Sequence, residues 1–192
     1  WNEDDVEEVD ETKPVGYREL KQSAYTGSKV VVTKKVFDNS GKLLSEKELD
    51  TIITRIAAEL DRDYSGSDKR LVLVSILKGS VVFMGELMKK ITVPVEIDFM
   101  RVSSYGAGTE TTGSINIILD LLRKDLDQCD IVIVEDIVDS GRTLSHLTKY
   151  LKLKGVHSVR TCTLLDKPER REVDLVADYV GSVIPDEFVV GY

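Results

Sequence analysis

Two stretches of this sequence are apolar at consecutive positions instead of alternating ones: LVLVSI at 71–76 and VIV at 132–134. A strand with one wet face alternates apolar and polar residues. A strand that is apolar on both sides needs cover on both faces, and sheets covered on both faces are mainly parallel, with helices above and below. Parallel neighbours also need long crossovers, usually helical, and the intervening sequence supplies them. Ser45 and Glu48 form a capping-box pattern, and Leu49, Ile52, Ile53, Ile56, Ala57 and Leu60 follow at helical spacing. VVFMGELMKK reads as a second helix after the break at KGS. TLSHLTKYLKLKG reads as a third, closed by Gly155. KVVVTKKVF, VPVEIDFMRV, SINIIL, VRTCTLL and the segments around VADYVG and EFVVG read as further strands, with DNSGK a turn. The expected fold is α/β: a mainly parallel, twisted sheet flanked by helices.

The length of 192 residues suits one such domain. Residues 1–28 stand apart as an acidic N-terminal arm, since WNEDDVEEVDET holds seven acids and no base. The arm is expected to be poorly ordered or loosely docked. A net charge of −8 argues against a nucleic-acid or membrane-surface role, which needs a basic face. Cys129 and Cys162 are far apart and read as reduced, buried strand residues, in keeping with a cytoplasmic setting. No apolar run is long enough to span a membrane. His146 and His157 are the only histidines, and no His/Cys cluster points to zinc.

In open α/β sheets, ligands bind beyond the carboxyl ends of the strands. Three breaks fall there: LKGS, EDIVDSGRT and LLDKPERR. In VIVEDIVDSGRT the strand delivers Glu135, Asp136 and Asp139, then a small-residue turn of Ser140, Gly141, Arg142 and Thr143. An acidic loop capped at Asp139 or Ser140 would account for a helix start. It would not explain adjacent carboxylates at the mouth of a buried strand. Carboxylates accept hydrogen bonds from sugar hydroxyls and hold Mg²⁺ through water, while amides at a helix start hold phosphate. A ribose 5-phosphate matches both halves.

This run resembles the 5-phosphoribosyl-1-pyrophosphate (PRPP) signature of the type I phosphoribosyltransferases. LVSILKGSVVFMGEL, FMRVSSYG, LLDKPERR and IPDEFVVGY resemble the hypoxanthine(-guanine) branch of that family, and the resemblance covers residues 29–192. It implies the family's fold, with a small hood built from terminal segments. It implies that Glu135 and Asp136 bind the ribose hydroxyls and, partly through water, Mg²⁺. Asp139 would be the catalytic residue near purine N7, as general base or charge stabiliser. Ser140, Gly141, Arg142 and Thr143 would cradle the 5′-phosphate. Leu77, Lys78 and Gly79 would form the pyrophosphate loop, where the family often holds a cis peptide. Lys167 would donate to the purine 6-oxo group, Phe188 would stack on the base, and Val189 would meet its edge. Ser104 and Tyr105 would belong to a mobile loop, 103–114, that closes over the reacting centre.

The resemblance further implies a purine salvage enzyme that converts PRPP and hypoxanthine, with guanine as a second base, into IMP or GMP and pyrophosphate. It implies a cytoplasmic homodimer or homotetramer. The alternative is a non-catalytic PRPP-sensing regulator of the same fold, which would want a basic surface. Sister transferases for adenine, uracil or orotate are disfavoured by LLDKPERR and DEFVVGY. The family's C-terminal tail carries an aspartate for a second magnesium and an arginine for pyrophosphate, and the sequence to Tyr192 holds no counterpart of either.

Overall fold

The computed structural model describes residues 36–37, 43–104 and 115–186. Strands β1 (Val36–Phe37) and β2 (Leu43–Leu44) pair antiparallel. Helix α1 (Glu46–Tyr64) follows, with Ser45 and Glu48 closing the expected capping box. Then come β3 (Arg70–Ile76), α2 (Val81–Met88), β4 (Val95–Ser104), β5 (Ile115–Leu119), β6 (Cys129–Val138), α3 (Arg142–Leu153), β7 (Ser158–Asp166) and β8 (Tyr179–Val183). The six strands β3–β8 form one sheet in the order β5-β4-β3-β6-β7-β8. All neighbours are parallel except β4 and β5. The mainly parallel α/β sheet expected from the sequence is therefore present.

Strand pleating explains why the apolar runs carry no polar alternation. In β3, Leu71 and Leu73 point to one face, where they meet Ile53, Ile56 and Leu60 of α1 and Phe83 and Leu87 of α2. Val72 and Val74 point to the other, against Leu147 and Leu151 of α3. Strand β6 divides the same way, with Val132 and Val134 on the first face and Ile131 and Ile133 on the second. Each such side chain, fully removed from water, contributes about 1.5–3 kcal/mol. The buried central strands thus form a rigid base whose carboxyl ends deliver the loops. Cys129 and Cys162 are buried and unbridged.

The described part of the strand expected over 29–37 is its last pair, Val36–Phe37. The expected arm (1–28), the DNSGK turn and the EFVVG strand lie outside the described residues. The same holds for most of the hood and for the loop from residue 105 to 114.

Candidate active site

The carboxyl ends of β3, β6 and β7 lie side by side, because β6 pairs with both of the others. The three motif loops leave the sheet there. After β3, the Leu77–Lys78 peptide is cis, as the resemblance implied. This loop is pinned from below. Buried Ser75 and Ser80 join through their hydroxyls at 2.7 Å, Ser80 Oγ also donates to the Ile76 carbonyl at 2.6 Å, and Leu77 N–H donates to Met100 O at 2.8 Å. Lys78 and Gly79 are exposed above that anchor.

Gly79 lies against the carboxylate of Asp136. A Cβ added at Gly79 would sit 2.6 Å from Asp136 Oδ2, well inside contact distance. The same carboxylate accepts the Ile137 N–H at 2.9 Å, so its position is set from both sides. Gly79→Ala should therefore displace this carboxylate and, if the loop binds PRPP as the resemblance implies, weaken that binding while leaving the melting temperature close to the parent's. Calorimetric titration beside a thermal melt checks this, and unchanged affinity would contradict it.

Glu135 and Asp136 end the buried part of β6 as partly exposed side chains. Burial, followed by repulsion from Asp136, pushes the Glu135 carboxyl up to about 8. Asp136 is also raised, mainly by burial. Such a pair favours a positive partner.

Beyond Val138 the chain turns into α3. The N-cap is Gly141, not Asp139 or Ser140 as an ordinary capped loop would have it, and its φ is +76°. That left-handed backbone suits glycine. Close approach of the turn to an anion is the sequence-based reason for a glycine here; the structure shows a second one. A Cβ on Gly141 would meet Arg171 Cδ at 2.8 Å. The Arg142 side chain is exposed and pairs with Glu172 at 2.5 Å, while its backbone N–H, in the first turn of the helix, makes a long hydrogen bond to Ser140 Oγ at 3.4 Å. First-turn amides lack intrahelical acceptors and carry the positive end of the helix dipole. A cavity of about 120 Å³ opens here, lined by Glu135, Ile137, Val138, Asp139, Ser140, Gly141, Thr143 and Leu144.

The third loop folds over the second. Lys167 N–H donates to Val138 O at 2.9 Å, and Glu172 N–H donates to Ser140 O at 3.0 Å. Lys167 is only 7% exposed, so it is not the solvated turn lysine that DKPERR alone would allow. Asp139 is exposed, and its carboxylate accepts Arg170 Nε at 2.8 Å. Arg171 donates to the Asp139 carbonyl at 2.8 Å and pairs with Asp166. Glu135, Asp136, Asp139, Ser140, Gly141, Arg142, Thr143, Leu77, Lys78, Gly79 and Lys167 thus occupy one end of the sheet. The backbone of Ser104 closes β4, while Tyr105, Phe188 and Val189 lie outside the described residues.

Arg170 and Arg171 hold Asp139 and Asp166 without a role assigned to either by the LLDKPERR motif. The available signal was two cations three and four residues after the motif lysine, alongside an acidic turn elsewhere in the sequence. Ser80 is likewise unmarked, since its role depends on a contact with Ser75 in the neighbouring strand.

The phosphoribosyl transferase domain family matches residues 39–192. Hypoxanthine phosphoribosyltransferase of Buchnera aphidicola is 47% identical over 150 residues, spanning 78% of this chain and 84% of the relative. Hypoxanthine-guanine phosphoribosyltransferase of Staphylococcus aureus is 49% identical over 150 residues, with 78% and 82% covered. Among solved structures, a Staphylococcus aureus hypoxanthine phosphoribosyltransferase superposes with a TM-score of 0.71 at 46% identity, covering 78% of this chain and 82% of that one. A Bacillus anthracis hypoxanthine-guanine phosphoribosyltransferase gives 0.70 at 42% identity, covering 80% and 86%. With its sheet order, its three converging loops and these relatives in agreement, the chain belongs to the phosphoribosyl transferase domain family.

Proposed function

We infer that this protein is a purine salvage enzyme that transfers the 5-phosphoribosyl group of PRPP to hypoxanthine, releasing IMP and pyrophosphate; guanine is the second base. The observation that carries this is the meeting of a carboxylate pair, a helix-start turn with its own cavity, and a buried lysine at one sheet end. Relatives named as transferases leave the regulator alternative without support.

Transfer at the sugar C1′ passes through a state with oxocarbenium character, like that of glycosidases. Carboxylates nearby stabilise that positive charge. Glu135 and Asp136 orient the ribose through its hydroxyls, and the amides and hydroxyls of Ser140–Thr143 hold the 5′-phosphate. Asp139 holds or takes the proton at purine N7. Lys167 donates to the 6-oxo group, with Phe188 and Val189 completing base recognition. Leu77, Lys78 and Gly79 receive the pyrophosphate. Loop 103–114, with Ser104 and Tyr105, excludes water from the activated sugar.

The residues fit Mg²⁺. Glu135 and Asp136 are paired, raised carboxylates, and Gly79 leaves room beside one of them. Among the described residues no three His, Cys, Asp or Glu converge as a closed metal site. Mg²⁺ is commonly held by one or two carboxylates together with waters and substrate oxygens. When bound, it neutralises charge on the leaving pyrophosphate. The same proposal includes a cytoplasmic homodimer or homotetramer; Val81 and Val82 of α2 offer exposed apolar area for association. Among the described residues no helix is long and apolar enough to cross a membrane.

A coupled assay with PRPP, Mg²⁺ and four bases tests the reading. Hypoxanthine should be consumed, and adenine should not. Turnover of adenine in preference to hypoxanthine would refute it. Lys167→Ala should then narrow the preference for 6-oxo over 6-amino purines by about 1–3 kcal/mol, since the oxo group loses its donor. The ratio of kcat/KM values for the two bases measures this, and an unchanged ratio would remove Lys167 from base recognition.

A further inference from the structure

We propose that Arg171 is a positioning residue that fixes the phosphate-binding turn against the purine-binding loop. The inference rests on the phosphoribosyl-transfer reading of those two loops. Arg171 follows the short 3₁₀ turn Pro168–Arg170, and its side chain is 13% exposed. One end of its guanidinium, Nη1, donates to the Asp139 carbonyl at 2.8 Å. The other end, Nη2, pairs with Asp166, whose side chain is 12% exposed. Asp166 is the last residue of β7, in register with Val138 and Val183, and directly precedes Lys167. The planar fork therefore ties the rigid strand end that carries Lys167 to the carbonyl that opens the phosphate turn. Its Cδ packs where a Cβ of residue 141 would be, 2.8 Å away, so the glycine turn and the arginine fit as a pair.

An arginine suits this place for a stated reason. Its donors are fixed in one plane and can reach two acceptors at once, whereas a lysine ammonium is a single point on a flexible stem. Arg171→Lys keeps a cation for Asp166 and gives up the simultaneous hold on the Asp139 carbonyl. The turn then loses its register with the carboxylates of β6, and small misplacements of binding groups cost much in this kind of chemistry.

The test is Arg171→Lys, chosen because full truncation could unfold the chain. PRPP with Mg²⁺ is titrated calorimetrically into parent and variant at 10 °C, with thermal melts alongside. The expected result is a melting temperature near the parent's and a PRPP dissociation constant raised about tenfold or more, with KM for PRPP rising in step. An unchanged dissociation constant overturns the proposal. So does a loss of binding that only tracks the unfolded fraction. If the parent itself binds no PRPP, the phosphoribosyl-transfer reading fails instead.

Discussion

Replacing Asp139 by Asn should lower kcat by about 10²–10⁴-fold, the usual contribution of a general acid–base group, with little change in stability. The side chain is half exposed and its pairing with Arg170 is a surface contact, with 48% and 50% of the two side chains accessible. Exposed pairs of this kind are worth about 0–1 kcal/mol. An arriving purine can therefore displace Arg170, which also has Asp186 within 3.5 Å as an alternative partner. Asparagine keeps the shape and a hydrogen-bonding oxygen but cannot take the proton. Steady-state kinetics with saturating PRPP check this. An effect under tenfold would leave Asp139 a bystander held by Arg170.

Glu135→Gln should separate stability from function. In the unliganded protein the Glu135 carboxyl is pushed from 4.5 up to about 8. The folded state therefore holds a proton that the unfolded chain has given up, across the window from about pH 4.5 to 8. Stability contributed at this position is present at the low end of that window and is lost as pH rises through it. Glutamine abolishes the penalty. The variant should melt higher than the parent, and its advantage should grow between pH 5.5 and 8.5. Its affinity for PRPP with Mg²⁺ should fall about tenfold or more, since removing a charged partner from a hydrogen bond typically costs about 1.5–3 kcal/mol. Melts at the two pH values check the first half. An advantage that stays level or shrinks as pH rises would show that folding does not raise the Glu135 carboxyl.

The α/β sheet was legible because its evidence is local. LVLVSI needs cover on both faces whatever its partners are, and Ser45 with Glu48 announces a helix start within four residues. The capping of α3 was less legible. Asp139 and Ser140 are ordinary capping types, yet Gly141 takes the position, because the packing of Arg171 beneath the turn selects a residue without a Cβ. That contact spans thirty positions and leaves no periodic trace. Arg170 on Asp139 spans thirty-one positions in the same way, whereas Ser80 on Ser75 spans only five but depends on how the chain turns from strand to helix. Lys167 shows another limit: the residues around it suggest a solvated turn, whereas the fold of that loop over Val138 leaves it only 7% exposed.

The most direct test of the account is a calorimetric titration of PRPP with Mg²⁺ into the parent and into Glu135→Gln. It is run at pH 7 in two buffers of different ionisation enthalpy. Binding by the parent should release a proton, as the raised Glu135 carboxyl ionises against bound ligand. The variant should bind more weakly and lose that proton release. Parent and variant binding PRPP alike, with the same proton balance, would place the sugar-phosphate site somewhere other than the carboxyl end of β6.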